Sequence, residues 1–208
     1  MEILISVLLG LVQGAAEWFP VSSSGHLAII QNLLNLEVGA EFDIALHLGT
    51  ILAVIVFFYR DIIRIFTKEQ RVLFYIVIAS IPTAIIGFIF SFFINEIFSS
   101  LIVVSVSLLI TGTIIYISSL YAGKGDLNTE NTFLTGVFQG LAVIPGISRS
   151  GVTISSLMFQ GVERSRAATF SFLLAIPAVI GANILQFREI ANLDYVVLVP
   201  GFLAAFFA

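Results

Sequence analysis

Long apolar runs alternate with short polar interruptions along the whole chain. A helix that crosses the hydrocarbon core of a bilayer needs about 20 mostly apolar residues. Residues 44–59, 72–94, 101–121 and 167–187 reach or approach that length, and a further apolar segment runs from 195 to 208. Pro82 and Gly87 in the second run, and Pro177 and Gly181 in the fourth, mark expected kinks. The interruptions predict loops at 37–43 (with Glu37, Glu41 and Asp43), 60–71, 122–131, 161–166 and 188–194, and a short turn at 95–100.

Two stretches break this rhythm. Residues 3–12 are apolar but too short to span, and they run into Q-G-A-A-E-W-F-P-V-S-S-S-G-H at 13–26 and a second short apolar piece at 27–36. The plan returns downstream, with a short apolar approach at 133–144, Q-G-L-A-V-I-P-G-I-S-R-S-G at 139–151 and a short exit at 152–159. Laid over each other without a gap, the motifs match at Gln13/Gln139, Gly14/Gly140, Ala16/Ala142, Ser22/Ser148, Ser24/Ser150 and Gly25/Gly151, with Pro20 and Pro145 one place out of register. Each stretch predicts two half-helices around an irregular tip, a re-entrant hairpin. Such a backbone is tolerated at membrane depth only inside protein or beside a wet cavity.

Three predicted spans separate the hairpins, so the second enters from the opposite side. The fold class expected is therefore an all-α polytopic membrane protein built from inverted repeats, with the two tips meeting near the midplane. The first repeat covers 1–121, a linker 122–131, and the second repeat 132–208. The second lacks counterparts for the last spans of the first, which implies a chain cut short by about 30–40 residues. Lys and Arg sharpen the topology. Arg60, Arg64, Lys68, Arg71, Lys124, Arg164 and Arg166 fall on one side, Arg188 on the other and Arg149 in the second tip. The rich side is expected to be cytoplasmic.

Composition agrees. The 208 residues are 59% hydrophobic and 11% charged, against roughly 25% charged in soluble domains, and mean hydropathy is +1.09. The net charge of −4 adds little, since the charges sit mostly in loops. There is no Cys, which excludes disulfides and thiolate chemistry. The first apolar stretch lacks the basic leading region of a signal peptide. No P-loop, GxGxxG, CxxC or HExxH pattern is present.

Candidate chemistry lies in the two motifs. Glu17 is a carboxylate at membrane depth, a setting that is costly and by default functional; the bland alternative is a neutral Glu bonded to loop amides. Gln13 lies four residues earlier, on the same helical face. Together they suit a hard cation such as Mg²⁺, which keeps most of its waters and takes phosphate oxygens. Ser22, Ser23, Ser24 and Gly25 offer hydroxyls and amides for an anion, or simple helix caps. His26 is either a proton carrier or a neutral ring tied to a backbone carbonyl. Arg149, between Ser148 and Ser150, carries a planar fork suited to phosphate, or pairs structurally with Glu17. Thr153 reads as a cap, His47 as a polar residue near a helix end, and Trp18 as packing or an interfacial anchor. Carboxylate, His, Ser and Arg with a cation favour phosphoryl transfer, on a substrate with a phosphate head and a lipid tail.

At these residues the chain resembles the undecaprenyl-diphosphate phosphatase family, the bacitracin-resistance type. The resemblance rests on Gln13, Glu17, Pro20, Val21, Ser22, Ser23, Ser24, Gly25 and His26, and on Pro145, Gly146, Ser148, Arg149, Ser150, Gly151 and Thr153; F-S-F-L-L-A-I-P at 170–177 adds to it. It implies hydrolysis of undecaprenyl diphosphate to the monophosphate and phosphate, at the outer face of the cell membrane, to recycle a cell-wall lipid carrier. It implies a divalent cation, Mg²⁺ with Ca²⁺ as the alternative, held by Gln13 and Glu17. It implies catalytic roles for Glu17, His26, Arg149 and Ser23, with the nucleophile open between Ser, His and water. Ser22, Ser24, Ser148, Ser150 and Thr153 become phosphate contacts. Expected partners are the polyprenyl diphosphate and membrane lipids, with a homodimer possible and no nucleic acid. The runner-up is a lipid or small-anion transporter, since inverted repeats with broken helices also build transporters.

Overall fold

In hydrocarbon a backbone amide has no water to bond, so apolar runs of this length close their hydrogen bonds internally as helices. A computed structural model describes residues 2–36, 38–92, 100–121 and 123–208. Among the described residues the helices are α1 (Ile3–Trp18), α2 (Ser23–Leu33), α3 (Ala40–Phe57), α4 (Tyr59–Thr67), α5 (Gln70–Ser91), α6 (Leu101–Ser119), α7 (Thr129–Leu141), α8 (Arg149–Phe159), α9 (Arg164–Leu185), α10 (Phe187–Ala191) and α11 (Tyr195–Phe207). Four of them, α3, α5, α6 and α9, are long and apolar enough to cross a membrane. Phe74, Val77, Ile81 and Ile85 form an exposed apolar stripe along α5, which is the surface lipid requires. The chain is an all-α polytopic membrane protein.

Several predicted loops are helical. Residues 60–71 form most of α4 and the start of α5. The amphipathic sequence explains it: Ile65 is buried, and Asp61 and Arg64 pair one turn apart at 3.4 Å on the polar side. The 37–43 loop gives way to α3 from Ala40, with Asp43 buried and accepting from Gln31 Nε2 at 2.7 Å. Glu37 lies outside the described residues, as do positions 95–99 of the predicted turn. Residues 188–194 include the end of α10. The half-helices are also longer than predicted. α1 continues through Gln13 and Glu17 to Trp18, and α7 begins at Thr129, where Asn128 and Asn131 form a reciprocal capping box.

Packing is reciprocal between the halves. α1 lies along α11, α7 lies along α5, and α3 packs on α9 between them. Glycines make the two close approaches. A Cβ on Gly10 would meet the Gly201 carbonyl oxygen at 2.1 Å, and one on Gly14 the Ala205 oxygen at 2.8 Å. In the other half, a Cβ on Gly136 would meet the Ala79 oxygen at 2.1 Å, and one on Gly140 the Ile86 Cβ at 2.7 Å. The two pairs carry the same G-x-x-x-G spacing, which lets helix backbones touch where lipid removes the hydrophobic drive. α5 runs on through Pro82, and the Thr83 hydroxyl sits 2.8 Å from both the Ala79 and Gly136 carbonyls, binding α5 to α7.

The linker is docked rather than loose. Gly125 N donates to Gly161 O at 2.8 Å and Glu163 N to Gly125 O at 3.0 Å. Arg166 holds Asp126 with two bonds of 2.8 Å, and these keep the Asp126 carboxyl below its usual range.

The helix contacts predict a contrast between glycines. Gly136→Val should lower the thermal midpoint of the purified protein, since overpacking costs roughly 1–3 kcal/mol. Gly112→Ala should leave it unchanged or raise it, because nothing lies within 4 Å of the added Cβ and alanine favours helix by up to about 1 kcal/mol.

Candidate active site

The site begins where two helices are broken in the same way. α1 ends before Pro20, and the chain turns through Ser22 at φ 68°, a left-handed conformation uncommon for a residue with a Cβ and typical of functional sites. Ser22 then caps α2, its Oγ accepting from Gly25 N at 3.2 Å. In the second motif α7 ends at Leu141, and Gly146 turns the chain at φ +90°. Ser148 caps α8 by accepting from Gly151 N at 3.0 Å. A side chain at Gly146 would strike the Val104 oxygen at 2.5 Å, so this tip is pressed against α6. Thr111 of α6 pins it further, donating to Gly146 O at 3.0 Å and accepting from Ser148 N at 3.1 Å.

The two tips touch. Gly146 N approaches Ser24 Oγ at 3.5 Å, and a Cβ on Gly25 would lie 3.1 Å from Gly146 Cα. Glu17 is at the centre. Its Oε2 accepts from Gln13 Nε2 at 3.1 Å and from Ser23 Oγ at 2.8 Å. Its Oε1 is ion-paired with Arg149 Nη2, from a residue 132 positions away. Ser23 and Arg149 are the first residues of α2 and α8. The first residues of two helices, whose ends carry a partial positive charge, therefore meet on one carboxylate through their side chains. Such a place binds anions, and Glu17 supplies one.

The cluster is incomplete within the protein. Among the described residues Gln13 Oε1 and Arg149 Nη1 are buried without a hydrogen-bond partner. An unused acceptor and an unused donor beside one ion pair are chemically suited to a cation and to an anion. The donor set fits a hard cation only as a shared ligand, through Gln13 Oε1 and Glu17, because no group of three or more His, Cys, Asp or Glu gathers among the described residues.

The expected site residues divide. Gln13, Glu17, Ser23 and Arg149 meet directly. Ser22 and Ser24 lie 3.3 Å apart, as Ser148 and Ser150 lie 3.4 Å apart, on the two touching tips. Thr153 is fully buried, and its hydroxyl is 2.6 Å from Ser171 Oγ and 2.8 Å from Arg149 O, so it ties α8 to α9. His26 is exposed, with Nδ1 2.8 Å from Ser22 O. Among the described residues no contact joins it to Glu17, Ser23 or Arg149. Trp18 packs between Phe57 and Phe172, with ring centroids 5.4 Å from each.

His47, read from sequence as a helix-end residue, belongs to the cluster. Its Nε2 is 3.3 Å from Ser23 Oγ and 3.6 Å from Glu17 Oε2. The four-residue step from Asp43 was the available signal, because it sets the ring on the Asp43 carbonyl and turns Nε2 inward.

Residues 6–208 match the family model described as bacitracin resistance protein BacA. A protein of Methanosphaera stadtmanae named undecaprenyl-diphosphatase is 38% identical, over 99% of this chain and 85% of its own. Proteins of the same name from Desulforapulum autotrophicum and Halothermothrix orenii are each 40% identical over 91% of this chain, and over 78% and 76% of their own. With the match running through both tips and the helices that carry them, this chain belongs to the bacitracin resistance protein BacA family.

Proposed function

We propose that this chain is an integral-membrane phosphatase that hydrolyses undecaprenyl diphosphate to undecaprenyl phosphate and phosphate, returning a lipid carrier to use. The observation that carries this is the Glu17–Arg149 pair between the two tips, flanked by an unused acceptor on Gln13 and an unused donor on Arg149 among the described residues. A diphosphate needs neutralisation and alignment more than covalent help. Arg149, with the N-termini of α2 and α8, binds the terminal phosphate in place of Glu17. Ser148 and Ser150 extend that contact on one tip, Ser22 and Ser24 on the other. Gln13 and Glu17 would hold a divalent cation, Mg²⁺ or Ca²⁺, which offsets charge on the diphosphate oxygens.

Ser23 is the nucleophile. Its Oγ forms a bond to the terminal phosphorus as the bridging P–O bond breaks, and the bond pair leaves on the lipid monophosphate. Water then displaces Ser23 from phosphorus and releases phosphate. Exposed His26, its Nδ1–H held by the Ser22 carbonyl, has Nε2 free to pass the proton of that water to solvent. Thr153 supports the site by fixing α8.

The two tips belong to inverted repeats, and the Lys- and Arg-rich face is cytoplasmic. The site then opens to the outer face, where the lipid diphosphate is presented. Cysteines substituted at Lys68 and Lys124, in a chain with none of its own, should be labelled by an impermeant reagent only from the cytoplasmic side, and one at Arg188 only from outside. Labelling of positions 68 and 124 from opposite sides would contradict the inverted arrangement.

Turnover should follow the roles of the two tips. Arg149→Ala should lose roughly 10²–10³ in phosphate release at saturating substrate, as lost transition-state donors do. Arg149→Lys should stay well below wild type, since it restores charge but not the fork. A near-normal Ala variant would confine the site to the first tip.

Glu17→Gln should remove most activity and raise the Mg²⁺ needed for the remainder, whereas Gln13→Glu should keep activity. Unchanged activity and Mg²⁺ dependence in Glu17→Gln would remove the cation from this position. A transporter in place of an enzyme would move the lipid between leaflets with no phosphate released in any of these assays.

A further inference from the structure

The mechanism above leaves the proton of Ser23 without a destination inside the site, and one side chain is built to take it. From the tautomer and direction of its ring, we infer that His47 is the general base that activates Ser23; this rests on the phosphatase reading of the site.

A backbone carbonyl only accepts, so the 2.8 Å contact between His47 Nδ1 and Asp43 O requires the proton on Nδ1. In the neutral ring Nε2 is then a bare acceptor 3.3 Å from Ser23 Oγ, the second acceptor, beside Glu17, within reach of the one hydroxyl proton. The Asp43 side chain is not needed for this, being engaged by Gln31 Nε2.

Glu17 Oε2 is nearer to Ser23, at 2.8 Å, but it is the poorer base. The same carboxylate already accepts from Gln13, and with substrate bound it would hold the cation, so its oxygens are engaged. Glu17 instead lies 3.6 Å from His47 Nε2, placed to stabilise the imidazolium once the proton arrives. His, acid and serine thus divide the roles as in other activated serines, with the acid on the Nε2 side of the ring. As Ser23 Oγ bonds to phosphorus, its proton moves to His47 Nε2 and the leaving lipid phosphate takes the electron pair. When water later displaces the serine, His47 returns the proton to Oγ. No other reactant is needed.

The electrostatic surroundings of the ring are simple. Glu17 comes from α1 and, through it, Arg149 from α8. α2 contributes Ser23 and, without a described contact to the ring, exposed His26. Arg188 and Glu189 on α10 are exposed, and α11 carries no acidic or basic residue. On α9 the cations are Arg164, bonded to Ser119 O, and Arg166, paired with Asp126.

The test uses the full chain in detergent with undecaprenyl diphosphate and Mg²⁺, comparing wild type, His47→Ala, His47→Gln and Ser23→Ala. His47→Gln keeps a polar group in place but takes no proton, which separates base loss from misfolding. Both His47 variants should lose about 10²–10⁴ in kcat with KM within a few-fold. Added imidazole should restore His47→Ala at least tenfold and leave Ser23→Ala inactive. Turnover within about threefold of wild type in either His47 variant would overturn the inference. So would a loss of turnover with no rescue by imidazole, which marks a structural residue. Full activity in Ser23→Ala would instead remove the reading of the site beneath it.

Discussion

A carboxylate at membrane depth needs a counter-charge close by, and here that requirement joins the two ends of the chain. Glu17 stands on α1, and its partner Arg149 starts α8, 132 residues later. Buried ion pairs add little net stability over a well-packed apolar substitute, so the pair is better understood as a site than as a staple. Its surroundings support that view. The first residues of two helices, Ser23 and Arg149, bond to Glu17, Ser22 holds an unusual backbone angle beside it, and Gln13 Oε1 and Arg149 Nη1 have no partner among the described residues. The left-handed angle at Ser22 and the two unpaired atoms each cost stability.

Bringing the tips together falls to the helices around them. α1 and α7 are held by glycine contacts to α11 and α5, the same spacing used twice with exchanged partners. Exchange of partners means that each short helix packs most extensively against a helix of the other half. The tips are then registered by the packing of the whole bundle, with Thr111 and Val104 of α6 clamping the second tip from behind. A shift of α11 against α1 would pass directly to Glu17, three residues beyond Gly14.

Much of this was legible in the sequence. Apolar run length gave the four long helices, and the repeated Gln-Gly, Ser-x-Ser-Gly pattern located both tips. Glu17, Gln13, Ser23 and Arg149 stood out because polar groups are rare in such surroundings. The predicted loops failed where charge was mistaken for irregularity: in α4, charged residues lie on one side of a helix whose other side buries Ile65. The paired G-x-x-x-G spacing was present at Gly10/Gly14 and Gly136/Gly140 but needed the partner helices to gain meaning. From sequence His47 reads as a polar residue near a helix end. Its neighbours in space come from α1 and α2, and only the hairpin turn at Ser22 delivers them.

The central claim is that Glu17 and Arg149 form one charge pair across the two tips, and a double-mutant cycle on stability tests it most directly. Unfolding of wild type, Glu17→Gln, Arg149→Met and the double variant would be followed in the same detergent, without substrate. The pair predicts that each single change is destabilising, because it strands a buried charge, and that the second change restores part of the loss, with a coupling of roughly 0.5–3 kcal/mol. Strict additivity of the two losses would show that the side chains do not meet, and the composite site would have to be abandoned.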